Sequence, residues 1–539
     1  LTATGFNENF KRVNRQFDEA FKSTYLAAPI GTATGRIASM NGLLVRKSLY
    51  LSLAAMLLAP AVNAQTAPDT QPAQNVGSTA NWVDTYAAAQ TGSQQNIGNG
   101  TVDPSSTPLG AQPASREPGL PRSKLVQKLI DDGVNIRASE IDQYARNPTG
   151  GVKQGSRNVG QFYIGADLDL DKMFGWTGAS FHVTAYRDYG LSLNALDTGT
   201  YTKQQYIYKN PFPRWHLGLF SYEQKLLDDR LDIQVGRLGS TSYFGHLVVN
   251  CQFVSANTCG EPRMLVSETG LSLLPSATWG GNVKYKTTEN TYIDVGAFEV
   301  NPDVQPSNGL DWEIKHSTGY TLPIEFGWAQ SDPKTVRYPF ELKGGVYEST
   351  APLTDINENT KGQPLGMYGG TAATDNHIRD GFYIMGDKVI WRPDPSSPRS
   401  FNIFGGWVHQ LEDQEIMHQQ IYGGFVMTGP FSSRPYDTLG LNISEFEMTP
   451  EEQAYLAELR KKAGGTGVNA LHQTDYDLTY SIHLIRGVEL MPSLQYLVHP
   501  DNSSIAKTSV LPKNLFVYAI SLRLDLGVLM GFKPAAAND

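Results

Sequence analysis

Beyond residue 65 the chain has no apolar run approaching the ~18 residues that a membrane-crossing helix requires. It has only two cysteines in 539 residues, too few for a scaffold built on disulfides. Its balance of 44 Lys and Arg against 53 Asp and Glu leaves a formal charge of −9, which argues against nucleic acid as a partner. A phosphate-cradling Gly loop, a His-Glu-x-x-His pair and a Gly-x-Ser-x-Gly elbow are all missing. Ser, His and Asp are scattered without a spacing that assembles a nucleophile, so no enzyme and no cofactor are expected. One acidic stretch, "DLDLDKMFGWTG", opens like a calcium loop but carries Lys172 where the sharp-turn Gly belongs and Gly178 where the bidentate Glu belongs. It reads as a strand end with acids on one face, and no metal site is expected.

What is present begins with an export signal. Arg46 and Lys47 precede an apolar run from Leu49 to about Ala61, and Val62-Asn63-Ala64 offers a small-residue cleavage site. Residues 40–64 are therefore expected to be a signal peptide, with Met40 as the start and residues 1–39 outside the natural protein. Sequencing a mature N-terminus at Gln65 is the test of both. Residues 65–120 form a Gln-, Pro- and Ser-rich leader, without Lys or Arg before Arg116, expected to be disordered in the periplasm. In the oxidising compartment that export implies, Cys251 and Cys259 in "CQFVSANTCGE" suit a local disulfide. A metal site is the rival reading, disfavoured because zinc wants four ligands and only His246 is near.

Residues 121–539 hold the folded part. "RSKLVQKLIDDG" predicts a short helix ended by Gly133. Period-2 alternation then predicts strands at about 134–146, 161–172, 178–188, 214–226, 230–238, 276–286, 291–300, 319–329, 337–349, 380–391, 400–410, 418–428, 437–446, 474–486, 489–500 and 514–527. The connections alternate between short ("LDDR", "KTTEN", "RGVE") and long (147–160, 189–213, 239–275, 301–318, 350–379, 447–473, 501–513), with 411–417 the exception. A sandwich has no reason to sort its loops by parity. A transmembrane antiparallel β-barrel of about 16 strands does, with short turns at one rim and long extracellular loops at the other. Strand faces agree: Trp215, Leu217 and Leu219, or Leu322, Ile324 and Phe326, suit lipid, while charges on the alternate positions suit a wet lumen. Arg237 falls on the lipid parity near the outer rim, which calls for an interfacial site or a bulge. In the loop after Phe446, Thr449 as N-cap, Pro450, Glu452 and Gly464 predict a helix that covers or narrows the mouth.

Several stretches, in order, resemble the carbohydrate-selective outer-membrane porins of the OprB family: "GVNIRASEIDQYARNPTGG", "GADLDLDKMFGWTGASFHV", "LFSYEQKLLDDRLDIQVGRL", "LPSATWGGNVKY" with "AFEVNP", "LPIEFGW", "LKGGVYEST", "GPFSSRPYDTLGLNIS" and "ELMPSLQYLVHP". The resemblance spans about residues 129–532 and implies passive diffusion of glucose-like monosaccharides through an eyelet narrowed by infolded loops, in the bacterial outer membrane. It also implies that Cys251 and Cys259 stand for the family's paired cysteines. Partners are then a carbohydrate and outer-membrane lipid, with a homo-oligomer left open. Alternation makes Asp167, Asp169, His182, Tyr186, Asp232, Gln234, Glu325, Lys343, Gln495 and Arg523 the pore-lining candidates for hydrogen bonding to sugar hydroxyls. A general small-solute porin, and a barrel scaffold that docks an exported polymer or partner protein, are the alternatives.

Overall fold

The structure, a computed structural model, describes residues 120–532 apart from 208–214, 259–260, 305–306, 331–335, 376–377, 395–396 and 412–414. The readings of residues 1–39, of the signal at 40–64 and of all but the last residue of the leader lie outside the described residues, as does Cys259.

The strands are β1 Val134–Gly151, β2 Gly155–Asp169, β3 Ala179–Gly190, β4 Trp215–Leu226, β5 Leu231–Leu238, β6 Thr278–Lys286, β7 Thr291–Val300, β8 Gly319–Gln330, β9 Phe340–Ser349, β10 Leu353–Asn359, β11 Ala372–Asp375, β12 Arg379–Trp391, β13 Ser400–Gln410, β14 Met417–Thr428, β15 Thr438–Met448, β16 His472–Ile485, β17 Val488–Val498 and β18 Lys513–Asp525. All but β10 and β11 form one closed barrel in which each strand pairs antiparallel with its neighbours, and β1 meets β18 at the seam. Among the described residues no helix is long and apolar enough to cross a membrane.

Alternation sets the wall. On β8, Ile324 is 48% exposed to the outside while its neighbour Glu325 is 0% exposed inside. A one-residue slip of β9 would carry Lys343 to the lipid face, at a cost of about 2–4 kcal/mol at mid-bilayer, so the register is strongly specified. On β18, Tyr518 and Ile520 face out, whereas Val517, Ser521 and Arg523 are buried within.

Each of the sixteen predicted strands has its counterpart, with differences of detail. The loop expected at 147–160 is a tight turn between Gly151 and Gly155, because β1 and β2 stay paired up to Asn147 and Gly155. The loop expected at 350–379 contains the separate hairpin β10–β11. On β4 the register shifts between Thr184/Leu219 and Ala185/Leu217, which turns Leu219 inward, away from the lipid face expected for it. Both predicted helices form: Lys124–Asp131, capped by Ser123, and Pro450–Lys462, whose Thr449 side chain accepts from the Glu452 N–H. The second buries Tyr455, Leu456 and Leu459 in a cluster shared with Leu365 beside β10–β11 and with Met448, so it is a packed part of the extracellular end.

Candidate functional site

Two loops that a soluble protein would hold out in water run inside this barrel. The β3–β4 connection is buried from Ser192 to Ile207, except at Ala195 and Leu196, and the β5–β6 connection, 239–277, is buried over most of its length. The second loop carries Phe244, Leu247, Val249, Phe253 and Leu265, an apolar load that gains by leaving water. The two touch at Lys203: Ala256 N–H donates to Lys203 O at 3.0 Å, and Lys203 N–H donates to the Asn257 side-chain Oδ1 at 3.0 Å.

Wall side chains fasten them, because a buried loop backbone must find partners. Glu325 accepts from Gly245 N–H at 2.8 Å and from the Tyr292 and Tyr383 hydroxyls at 2.7 and 2.8 Å. Lys343 Nζ donates to His246 O at 2.8 Å and lies 2.6 Å from Glu341. Arg523 reaches Cys251 O at 2.8 Å and Phe253 O at 3.2 Å. Asp477 accepts from Ser255 N–H, and Gln420 both accepts from Met264 N–H and donates to Asn257 O. For the first loop, Gln495 donates to Gln204 O and Gln143 accepts from Ile207 N–H, while Asp501, on the β17–β18 connection, accepts from Tyr201 N–H. At the far end of the second loop, burial and then the Glu415 carboxylate push Glu268 well above the usual carboxylate range.

The wall also carries a belt of closely set charges, most of them beside a neighbour of opposite sign. Arg137 Nε lies 2.9 Å from Asp167 Oδ2. His182 sits between Asp167 Oδ1 at 2.7 Å and Glu223 Oε2 at 2.9 Å. Strand pairing then sets Lys225 opposite Asp232, Asp232 opposite Lys284, Lys284 opposite Asp294 and Asp294 opposite Glu325. Glu341 faces Asp387 across β9 and β12. The opposite wall, β13 to β15, presents Asn402, Phe404, Tyr422 and Asn442 instead.

The ten sequence candidates thus separate by role. Glu325, Lys343, Gln495 and Arg523 hold the infolded loops, and Gln234 donates to Ser221 Oγ on the next strand. Asp167, His182 and Asp232 belong to the charge belt. Tyr186 is buried against Tyr163, Leu274 and Ala277. Asp169 caps the short helix Leu170–Phe174, which replaces the strand end expected there, through Lys172 N–H. Gln143, Gln420 and Asp501 were missed as anchors, as was Asp475, which accepts from Asn257 Nδ2 at 2.7 Å. The signal available for them was indirect: "FGHLVVNCQFVSA" is too apolar for an outer loop, so something inside had to receive it.

Cys251 is buried at the point Arg523 grips, and its expected partner is Cys259. Among the described residues no group of His, Cys, Asp and Glu could hold a metal ion.

A family model described as "Carbohydrate-selective porin, OprB family" matches residues 153–512. Porin B of Pseudomonas aeruginosa is 25% identical over 400 residues, covering 70% of this chain and 87% of that protein. The high-pH structure of Pseudomonas putida OprB superposes with a TM-score of 0.66 at 22% identity, covering 74% of this chain and 96% of that one, a likeness of fold.

Proposed function

The chain belongs to the OprB family of carbohydrate-selective porins, transport channels of the bacterial outer membrane and not enzymes, and from that premise we propose that it passes monosaccharides such as glucose by passive diffusion. The observation that carries the reading is the pair of infolded loops fastened to the wall across the lumen. An open sixteen-stranded barrel leaves a wide aqueous channel. Loops held by hydrogen bonds reduce it to a passage in which a solute must exchange its water for fixed donors and acceptors.

Flux requires that this exchange be weak, because a tight site would retain the sugar. The belt of close-set charges suits a neutral, hydroxyl-rich solute: most of its charges have a neighbour of opposite sign, and each still gives or accepts a directed hydrogen bond. In this reading Asp167 and Asp232 meet solute directly, His182, nearly buried with both ring nitrogens held by Asp167 and Glu223, keeps those carboxylates in position, and Glu325, Lys343, Gln495 and Arg523 act through the loops they hold.

The test is liposome swelling with purified protein, comparing glucose with a neutral amino acid and a disaccharide, alongside single-channel recording as sugar is added. Faster glucose permeation than size predicts, with partial block of ion current, is the expected result. Permeation ranked by size alone would reduce the function to general diffusion.

A further inference from the structure

Arg237 lies on the lipid side of β5, between the outward-facing Phe220 and Trp279 to which it pairs. A guanidinium in that position would be costly against hydrocarbon and would need no shelter against water. It is sheltered: only 1% of its surface is exposed. The cover is the β7–β8 connection, which turns back over the outside of the wall.

Three hydrogen bonds hold it there. Leu217 N–H donates to Asn308 O at 2.9 Å, Arg237 Nη1 to Asp311 O at 2.8 Å and Trp279 Nε1 to Trp312 O at 3.3 Å. Arg237 Nη2 is taken by Ala277 O at 2.8 Å. The Trp312 ring packs on Phe220 and Trp279 at centroid distances of 5.0 and 5.7 Å. Gly309, at φ +76°, comes so close to β4 that a Cβ there would lie 2.2 Å from Leu217 O.

We propose that residues 307–316 form a strap seated in the outer leaflet of the bilayer, with lipid as its partner. The sequence "LDWEIKH" alternates apolar and charged residues. Its apolar members Leu310, Trp312 and Ile314 are 48%, 41% and 67% exposed, and they continue the exposed wall residues Trp215, Tyr320 and Leu322. The charged members stay wet: Glu313 pairs with Lys315, and His316 Nδ1 lies 2.8 Å from Asp303, all four well exposed. Charged pairs beside Trp and Ile fit the headgroup zone, where amphipathic side chains are favoured. A dry contact with a second copy would have to strip those charges of water.

The test uses the full chain in phosphatidylcholine vesicles with a nitroxide on Ile314→Cys. Ile324→Cys on the mid-wall and Tyr368→Cys on an exposed extracellular turn are the lipid and water controls, and the unsubstituted chain treated identically supplies the background. Collision with oxygen and exclusion of a water-soluble nickel chelate, as at Ile324→Cys, is the expected result. A nickel response like that of Tyr368→Cys would overturn the proposal by placing the strap in water. Loss of collisions with both reagents would overturn it in favour of a protein neighbour.

Discussion

At the scale of single residues, the division of labour inside the barrel rests on which inward side chain has a loop in front of it. Glu325 accepts three hydrogen bonds, each worth on the order of 1 kcal/mol or more to a charged acceptor. Glu325→Ala is therefore expected to release the turn at Gly245, raise single-channel conductance and admit the disaccharide in liposome swelling. Glu325→Gln keeps an acceptor and should do less. An unchanged conductance in the Ala variant would show that the wall does not need this residue to hold the loop. Cys251 and Cys259 are expected to pair: thiol alkylation of the denatured, unreduced protein should add no mass, and alkylation after reduction should modify both. Alternation in the sequence shows that Glu325 and Arg523 face inward, but it carries no information on whether they meet a sugar or a backbone. That distinction depends on where the distant segment 239–277 lies, and no local pattern encodes it.

Among the elements, the strands were the most legible part of the sequence, since a period of two written between lipid and water leaves little freedom. Even so, β10 and β11 were missed: "LTDINEN" and "AATD" have no sustained apolar face, and they pair only with each other. The first turn was misread because β1 and β2 continue past the apolar band on polar residues, which a hydrophobic pattern cannot follow. The extracellular helix was read correctly from its caps, but not the setting of Glu452. Burial, followed by the Asp501 charge, raises its pKa to about 8 from an ordinary 4.5, against a lowering contribution from Ser503. The folded state thus holds this proton more tightly than the unfolded one, so the contribution to stability is full below about pH 4.5 and is lost as pH rises towards 8. Protease resistance of the 449–471 loop should fall between pH 6 and pH 9. Glu452→Gln should flatten that dependence, and a variant that still loosens with pH would place the titrating group elsewhere.

For the whole molecule, the belt from Arg137 round to Asp387 contains somewhat more carboxylates than cations, and most are neighbours of opposite sign. The expected field in the lumen is weak and slightly negative. In a salt gradient the pore should prefer cations, with a permeability ratio within about a few-fold of unity. A strongly anion-selective reversal potential would contradict the arrangement. The seam between β1 and β18 matters also for biogenesis. The seam strand β18 must find β1 from several hundred residues away in sequence. Until that seam forms, the partly folded barrel presents two unpaired edges, each a template for aggregation. Closure therefore protects as well as encloses, and loss of β18 would turn a pore into an open, sticky sheet.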